Sequence, residues 1–343
     1  MQALITGGTG LLGRHLIAAL HERGDTIRVL ALPAEDTTWL AEHGHQVARG
    51  DVRERDTLID AMRGVDTVFH LAGMMGVWRP LEEYYAVNAA GTANVCRAAQ
   101  VANVRRLVHV SSWTVYGMGR GRVLREGDDL VPVREPYGLT KAEGDRIVQR
   151  FIAEERLPAV IVRPDTFFGP GDRVHYGRMA DRLSAGKAIV IGSGRNALPF
   201  VYVTDVVQGL LLAADQENAV GRAYNIGIDV PLSQEEMLRA IAAAIGAPPP
   251  RLHIPYAVLH AVAFAAERAA AIAHSHRPPL VTTLGVKVFG TDNRHAIDRA
   301  RSELGYAPRV SAREGVERTA RWYHQQRQLG PPAGNVGYQH AAN

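Results

Sequence analysis

Cysteine is almost missing from this chain. One thiol, Cys96, in 343 residues excludes an internal disulfide framework and suits a reducing compartment, so a cytoplasmic protein is expected. Cys96 itself reads as a small buried apolar residue. Long apolar runs are lacking too. No stretch of twenty uncharged apolar residues occurs, which argues against a spanning helix, and the expectation is that no signal peptide precedes the first strand. Aromatic residues make up only 6% of the chain, and no lysine-rich run with interleaved aromatics points to nucleic acid. The net charge of +4 is modest. Its excess lies between Arg251 and Arg327, where twelve basic residues face six acidic ones, and reads as a solvated arginine-rich surface. The fourteen histidines include His43/His45 and His274/His276. They show neither a Cys/His cluster nor His-Glu-x-x-His spacing, so no metal is expected. No internal repeat occurs.

What the chain does have begins at once. Residues Leu4 to Gly13 read LITGGTGLLG, an apolar strand running through glycines into an amphipathic stretch (Leu12, Leu16, Ile17, Leu20). A strand that turns on glycines into a helix offers free backbone N–H groups and a positive helix end to an anion. The glycines of such a turn give a tight bend, close approach to a pyrophosphate and close helix packing. The spacing fits Gly-x-Gly-x-x-Gly through Gly8, Gly10 and Gly13, and equally Gly-x-x-Gly-x-x-Gly through Gly7, Gly10 and Gly13.

The first half then alternates strands and helices. Strands are expected at Ala3–Thr6, Thr26–Leu32, Gln46–Arg49, Thr67–Leu71, Leu107–Ser111 and Ala159–Arg163. Helices are expected near Gly10–His21, Thr37–Glu42, Arg55–Met62, Glu82–Ala102 and Pro136–Arg156. This rhythm specifies an α/β fold, a Rossmann-type doubly wound parallel sheet. After Arg163-Pro164 the pattern becomes irregular. Short strands (Ile189–Ile191, Phe200–Val203, Ala223–Ile226) mix with helices (Asp205–Ala214, Gln234–Ile245, Tyr256–His274, Ala312–Gln328). The expected division is residues 1–165 as a dinucleotide-binding domain, with 200–227 returning to it. Residues 166–199 and 228–328 form a smaller, mostly helical substrate lobe, and 329–343 a disordered tail.

Two further groups carry chemistry. The fifth strand ends in Ser111-Ser112, placing hydroxyls at the carboxyl edge of the sheet, where ligands of such folds bind. Pro136 then opens a helix, and Tyr137 and Lys141 stand four apart on one of its faces. An ammonium one turn away favours the phenolate and brings a tyrosine toward working pH as a general acid/base. Alone, a Tyr-x-x-x-Lys is most often a surface pair. In this order with the glycine turn and the serines it points to a redox site.

These residues, with Gly50-Asp51-Val52, His70-Leu71-Ala72-Gly73, Val87-Asn88-Ala89-Ala90-Gly91-Thr92, Val115-Tyr116-Gly117 and Gly169-Pro170-Gly171-Asp172, resemble the extended short-chain dehydrogenase/reductases, the NAD-dependent epimerase/dehydratase family, over about residues 1–327. The resemblance implies catalytic Ser112, Tyr137 and Lys141, with Ser112 chosen because it stands four before Tyr116. It implies a cofactor site of Gly7, Gly10, Leu11, Leu12, Gly13, Asp51 (on the adenine), Val52, Leu71, Ala72, Gly73, Asn88, Tyr137, Lys141 and Pro164. Asn88 reads equally as a helix-packing amide or a relay. The second strand ends Val29-Leu30-Ala31-Leu32-Pro33, without the acid that selects NAD or the arginine that selects NADP. Glu35 and Asp36 follow and favour NAD slightly, or cap the next helix.

Leu198 stands where sugar-nucleotide members carry an arginine for the diphosphate, with Arg195 three residues earlier as a substitute. Apolar candidates for the substrate wall are Met74, Trp78, Trp113, Phe167 and Phe168, with Tyr202. The chain is most similar to the 3β-hydroxysteroid dehydrogenase-like branch, which implies an NAD(P)-dependent oxidoreductase for a secondary alcohol or ketone on a largely apolar, steroid-like or keto-acid, small-molecule substrate. A sugar-nucleotide epimerase/dehydratase and a non-catalytic dinucleotide-sensing scaffold remain the alternatives. A homodimer is implied, and the alanine-rich segment Tyr256–His274 leaves peripheral membrane contact open, without spanning.

Overall fold

The computed structural model describes residues 1–328 apart from Val77, His274 and residues 276–278. The expected tail at 329–343 lies outside the described residues. Seven parallel strands form the central sheet: β1 (Gln2–Thr6), β2 (Thr26–Ala31), β3 (Gln46–Arg49), β4 (Thr67–His70), β5 (Arg106–Val110), β7 (Ala159–Pro164) and β11 (Ala223–Ile226). Their order is β11-β7-β5-β4-β1-β2-β3. β6 (Val123–Leu124) pairs instead with β13 (Arg294–His295). Strands β4, β5 and β7 are buried along their whole length, as a parallel sheet covered on both faces requires.

Successive residues of a strand feed opposite faces. Ile5, Val29, Val108 and Val160 join one core with Leu16 and Ile17 of α1 (Leu11–Glu22) and Val206 and Leu210 of α8 (Val203–Asp215). Leu4, Leu30, Val68, Leu107 and Ile161 join the other, with Val95 and Cys96 of α5 (Gly91–Val101) and Val148 of α6 (Pro136–Glu155). The remaining sheet-flanking helices are α2 (Thr38–Glu42), α3 (Arg55–Met62) and α4 (Leu81–Tyr85).

The expected helix over Glu82–Ala102 is present as continuous helical backbone from Leu81 to Val101. Within it, between α4 and α5, a π turn occupies Ala86–Ala90, a feature frequent at functional sites. Gly91 follows it because a Cβ there would stand 2.8 Å from Val52 Cγ2.

Beyond β7 the structure is richer than the sequence pattern. Strand β8 (Thr166–Phe168) and helices α7 (Tyr176–Ser184), α11 (Thr283–Gly290) and α12 (Asp298–Leu304) were not foreseen. β8 pairs with β10 (Phe200–Tyr202), and β9 (Ile189–Ile191) with β12 (Leu252–Ile254). Helices α7, α9 (Gln234–Ile245) and α13 (Ala312–Gln328) enclose a separate core of Phe168, Tyr176, Leu198, Phe200, Tyr202, Met237, Ile241, Val316 and Tyr323. α10 (Tyr256–Ile272) keeps only Leu259 and Ala263 buried. No described helix is long and apolar enough to cross a membrane.

The glycine turn shows which glycines the backbone needs. Gly7 has φ +73°, and a Cβ there would meet Ala72 N at 2.8 Å. A Cβ on Gly13 would lie 2.5 Å from Gly7 O and Gly8 Cα. Because these neighbours are backbone, Gly13→Ala is expected to cost about 1–3 kcal/mol, the range for overpacking. A urea midpoint equal to wild type would contradict that packing.

Candidate active site

At the first strand–helix junction, Gly10 is the exposed N-cap of α1, with no side chain and no acid in the following turn. A Cβ at Gly10 would meet only Gly7 O, at 3.4 Å. The cradle therefore fits a pyrophosphate: open at Gly10, tight at Gly7 and Gly13, with a positive helix end behind it. Leu12 is buried in the core, whereas Leu11 packs near Gly171. His15 Nε2, one turn later, sits 2.9 Å from Pro170 O, tying α1 to the loop after β8.

Leu71 and Ala72 are half-buried and Gly73 exposed at the exit of β4. Ala72 N donates to Thr6 Oγ1 (3.2 Å), which also lies 2.8 Å from His70 Nδ1. Burial and the nearby Lys141 charge depress the His70 imidazole to about 3, so it is neutral. Asp51 and Val52 are buried after β3. Asp51 accepts from Arg53 N (2.9 Å), Nε (2.9 Å) and Nη2 (2.6 Å). Burial pushes its carboxyl up, but these contacts hold it below the usual range. Pro164 is buried at the end of β7.

The acids after β2 divide their work. Asp36 Oδ1 accepts from Thr38 N and Oγ1 (3.0 and 2.8 Å), closing a local turn before α2. Glu35 instead accepts from Leu32 N (2.9 Å) and from Thr9 Oγ1 in the glycine turn (2.7 Å). A loop residue thus brings a carboxylate to the end of the second strand.

The serines also separate. Ser111 Oγ donates to Asp145 Oδ2 at 2.6 Å. Asp145 is held by Arg163 through Nε (2.8 Å) and Nη2 (2.9 Å), and Arg163 Nη1 continues to Tyr116 Oη (2.8 Å). Burial alone would raise the Asp145 carboxyl, but the Arg163 charge and these hydrogen bonds hold it low. Ser112 opens the 3-10 turn Trp113–Tyr116, and its Oγ accepts from Thr114 N (3.2 Å) and Oγ1 (2.9 Å). Its own proton is left to donate.

Helix α6 starts with Glu135, whose carboxylate accepts from Tyr137 N (2.9 Å) and Gly138 N. Burial pushes that carboxyl upward nonetheless. Tyr137 is half-buried on the first turn. One turn later Lys141 is 5% exposed, and its Nζ donates to Val110 O at 2.7 Å. The ammonium therefore pins α6 to the end of β5, directly before the serines. Desolvation brings Lys141 down to about 8, against the opposing pull of Asp145. Gly73 approaches the same point: a Cβ on it would lie 3.2 Å from Asn88 Oδ1 and 4.0 Å from Lys141 Nζ. Asn88, on the π turn, receives Met74 N (2.8 Å) and donates to Met74 O and Thr140 Oγ1 (both 3.0 Å). It clamps the β4 exit loop to α6, so the structure gives it a packing task.

The substrate candidates scatter. Met74, Trp78 and Phe167 are half-buried. Phe168 and Tyr202 are 1% and 4% exposed, packed on each other and on Gly315 of α13; they are core side chains, a correction to their reading as a substrate wall. Trp113 is buried too, donating Nε1 to Thr166 Oγ1 (3.0 Å). Leu198 is buried in that second core, while Arg195 is exposed. Sequence reasoning missed Asp145, although its i+4 spacing from Lys141 was visible. It also missed Arg163 as the ion-pair partner, for which spacing offers no signal.

A cradle for a dinucleotide, with a serine after β5 and a tyrosine and lysine on the first turns of α6, defines an NAD(P)-dependent enzyme of the extended short-chain dehydrogenase/reductase type. The chain belongs to the NAD dependent epimerase/dehydratase family, whose model matches residues 3–227. It is 31% identical over 328 residues to a 2-alkyl-3-oxoalkanoate reductase of Stenotrophomonas maltophilia, covering 93% of this chain and 98% of that protein. A 3-beta-hydroxysteroid dehydrogenase of Mycolicibacterium neoaurum is 28% identical, with 94% and 91% covered. Among solved structures, dTDP-glucose 4,6-dehydratase of Streptomyces venezuelae with NAD bound superposes with a TM-score of 0.78 at 25% identity, covering 97% and 99%.

Lys141 supplies a sharp test. Its fall from 10.5 to about 8 corresponds to about 3 kcal/mol disfavouring the buried charge. Below pH 8 the lysine is charged both folded and unfolded, so the folded state bears the whole cost; between 8 and 10.5 the folded amine discharges and the cost fades. Lys141→Met is expected to stabilise the protein at pH 7 by up to about 3 kcal/mol, with the gain vanishing toward pH 10.5. Turnover should fall at least about 100-fold. Urea melts at three pH values, beside initial rates, read both effects.

Proposed function

We propose that the chain is an NAD(H)-dependent ketoreductase or secondary-alcohol dehydrogenase acting on a largely apolar substrate of keto-acid or steroid-like kind. The observation that carries this reading is the buried Lys141 ammonium on Val110 O, one helical turn from Tyr137 and against the strand end that leads to Ser112. The substrate class is supported by Leu198, which is buried in the core where a diphosphate would need an arginine. The named activities of the oxoalkanoate reductase and the steroid dehydrogenase agree with it.

The glycine turn would hold the dinucleotide, whose chemistry there would be hydride transfer to or from the substrate carbon. Ser112 donates its proton in a hydrogen bond to the substrate oxygen. Tyr137 gives that oxygen a proton in reduction and takes it back in oxidation, and Lys141 stabilises the tyrosine's ionised form. Residues 1–165 with 200–227 hold the cofactor, and 166–199 with 228–328 hold the substrate. Met74, Trp78 and Phe167 remain as its apolar contacts. The enzyme works as a cytoplasmic homodimer, and the exposed Val258, Val262, Phe264 and Ile272 of α10 suit peripheral contact with a membrane.

Tyr137→Phe is expected to keep NAD affinity within about twofold and to lose roughly 100- to 10,000-fold in turnover; a wild-type rate would defeat the assignment. Glu35, brought to the end of β2, favours NAD by accepting from a ribose 2′-hydroxyl and repelling a 2′-phosphate. Glu35→Ser should shift the NAD/NADP ratio of kcat/KM toward NADP by about tenfold, or about 1.4 kcal/mol, and an unchanged ratio would remove Glu35 from cofactor choice. A thermal-shift plate of keto acids, hydroxysteroids and UDP- or dTDP-sugars with NAD separates the substrate classes. Stabilisation by the sugar nucleotides alone would replace this reading with an epimerase or dehydratase. Tight cofactor binding with no turnover of any of them would leave a dinucleotide sensor.

A further inference from the structure

His295 stands 130 residues beyond Asp165, yet its Nδ1 lies 2.6 Å from Asp165 Oδ1. Both are buried, and His295 Nε2 has no hydrogen-bond partner among the described residues. The imidazole is clasped by two members of the turn that carries Ser112. Its centroid is 5.3 Å from the Trp113 ring and 5.9 Å from the Tyr116 ring, nearly parallel to the latter at 23°. Tyr116 is already fixed by its hydroxyl, which donates to Asn225 Oδ1 (2.7 Å) and accepts from Arg163. Trp113 is held by its bond to Thr166 Oγ1 and by this ring contact. On the other side, Asp165 N donates to Ile226 O (2.8 Å), and a Cβ on Gly227 would stand 2.3 Å from Asp165 Oδ2.

A short 3-10 turn has poor internal hydrogen-bond geometry and does not hold itself rigidly. A buried Asp–His pair with one orphan nitrogen costs desolvation that an apolar ring of similar volume would avoid. What the pair adds is orientation: the bond to Asp165 sets the rotation of the imidazole, whose ring contacts both Trp113 and the fixed Tyr116. Trp113 adjoins Ser112 in the chain.

We propose that Asp165 and His295 are a positioning pair that sets the direction of the Ser112 hydroxyl through Trp113, without touching the substrate. Its effect on turnover rests on the ketoreductase reading; its effect on the serine turn does not.

The test uses the full chain with His295→Phe, His295→Asn, Asp165→Asn and, as a surface control, Arg294→Ala. Amide exchange of the peptide spanning residues 111–117 is measured by mass spectrometry, beside steady-state rates with a keto-acid or ketosteroid that the thermal-shift plate selects. His295→Phe keeps a ring but loses the bond, and should speed exchange in the turn about tenfold. It should lower kcat about 10- to 50-fold while KM for the dinucleotide changes less than about twofold. His295→Asn, whose amide can donate to Asp165 as Nδ1 does, should recover at least about a third of both effects. Arg294→Ala should change neither. Wild-type exchange in folded His295→Phe overturns the proposal, as does an equal loss from Asn and Phe. If His295→Phe does not fold, Asp165→Asn decides by the same exchange readout. A wild-type protein that reduces no ketone would sink the proposed function, while the exchange arm still judges the pair.

Discussion

One charge organises the site: the Lys141 ammonium, buried and donating to a main-chain carbonyl, Val110 O. It joins the helix that carries Tyr137 to the strand that leads to Ser112, so the two hydroxyls are held relative to each other by an ion rather than by a loop. Burial makes that charge costly, and the surroundings are arranged around it. The imidazoles of His70 and His109 are depressed by burial and then by Lys141, and both stay neutral. Each would otherwise add a second positive centre beneath the cofactor site.

The counter-charge comes from one turn further along α6. Asp145 remains ionised in the interior because Arg163 grips both its oxygens and Ser111 donates to one of them. An ion pair so deeply buried is weak evidence for stability, since desolvation offsets much of the attraction. Its consequence is geometric. The network runs from Ser111 through Asp145, Arg163 and Tyr116 to Asn225, and so links the ends of β5, β7 and β11 beneath the site. Ser111 is consumed by this network, and Ser112 is the hydroxyl with a proton still to give.

Much of the fold was legible in the linear pattern. Helix α3, strand β3 and helix α9 have the boundaries expected of them, because hydrophobic period and turn residues act within a few positions. Tyr137, Lys141 and the glycine turn were visible for the same reason. The long helix near Asn88 runs where it was expected, and what the apolar period does not reveal is the π turn at Ala86–Ala90 within it. Phe168 and Tyr202 were misjudged as substrate contacts because an apolar residue reads alike in a core and in a pocket.

The sequence by itself determined that a dinucleotide cradle precedes a tyrosine–lysine helix, because both depend on short-range spacing. Only the tertiary structure decided that Ser111 is bound to Asp145, which of Glu35 and Asp36 reaches the glycine turn, and that Asp165 meets His295. These are outcomes of strand order and lobe packing, which bring together residues between 26 and 130 positions apart. No local propensity encodes such a meeting; it exists only once the sheet has closed around its two cores.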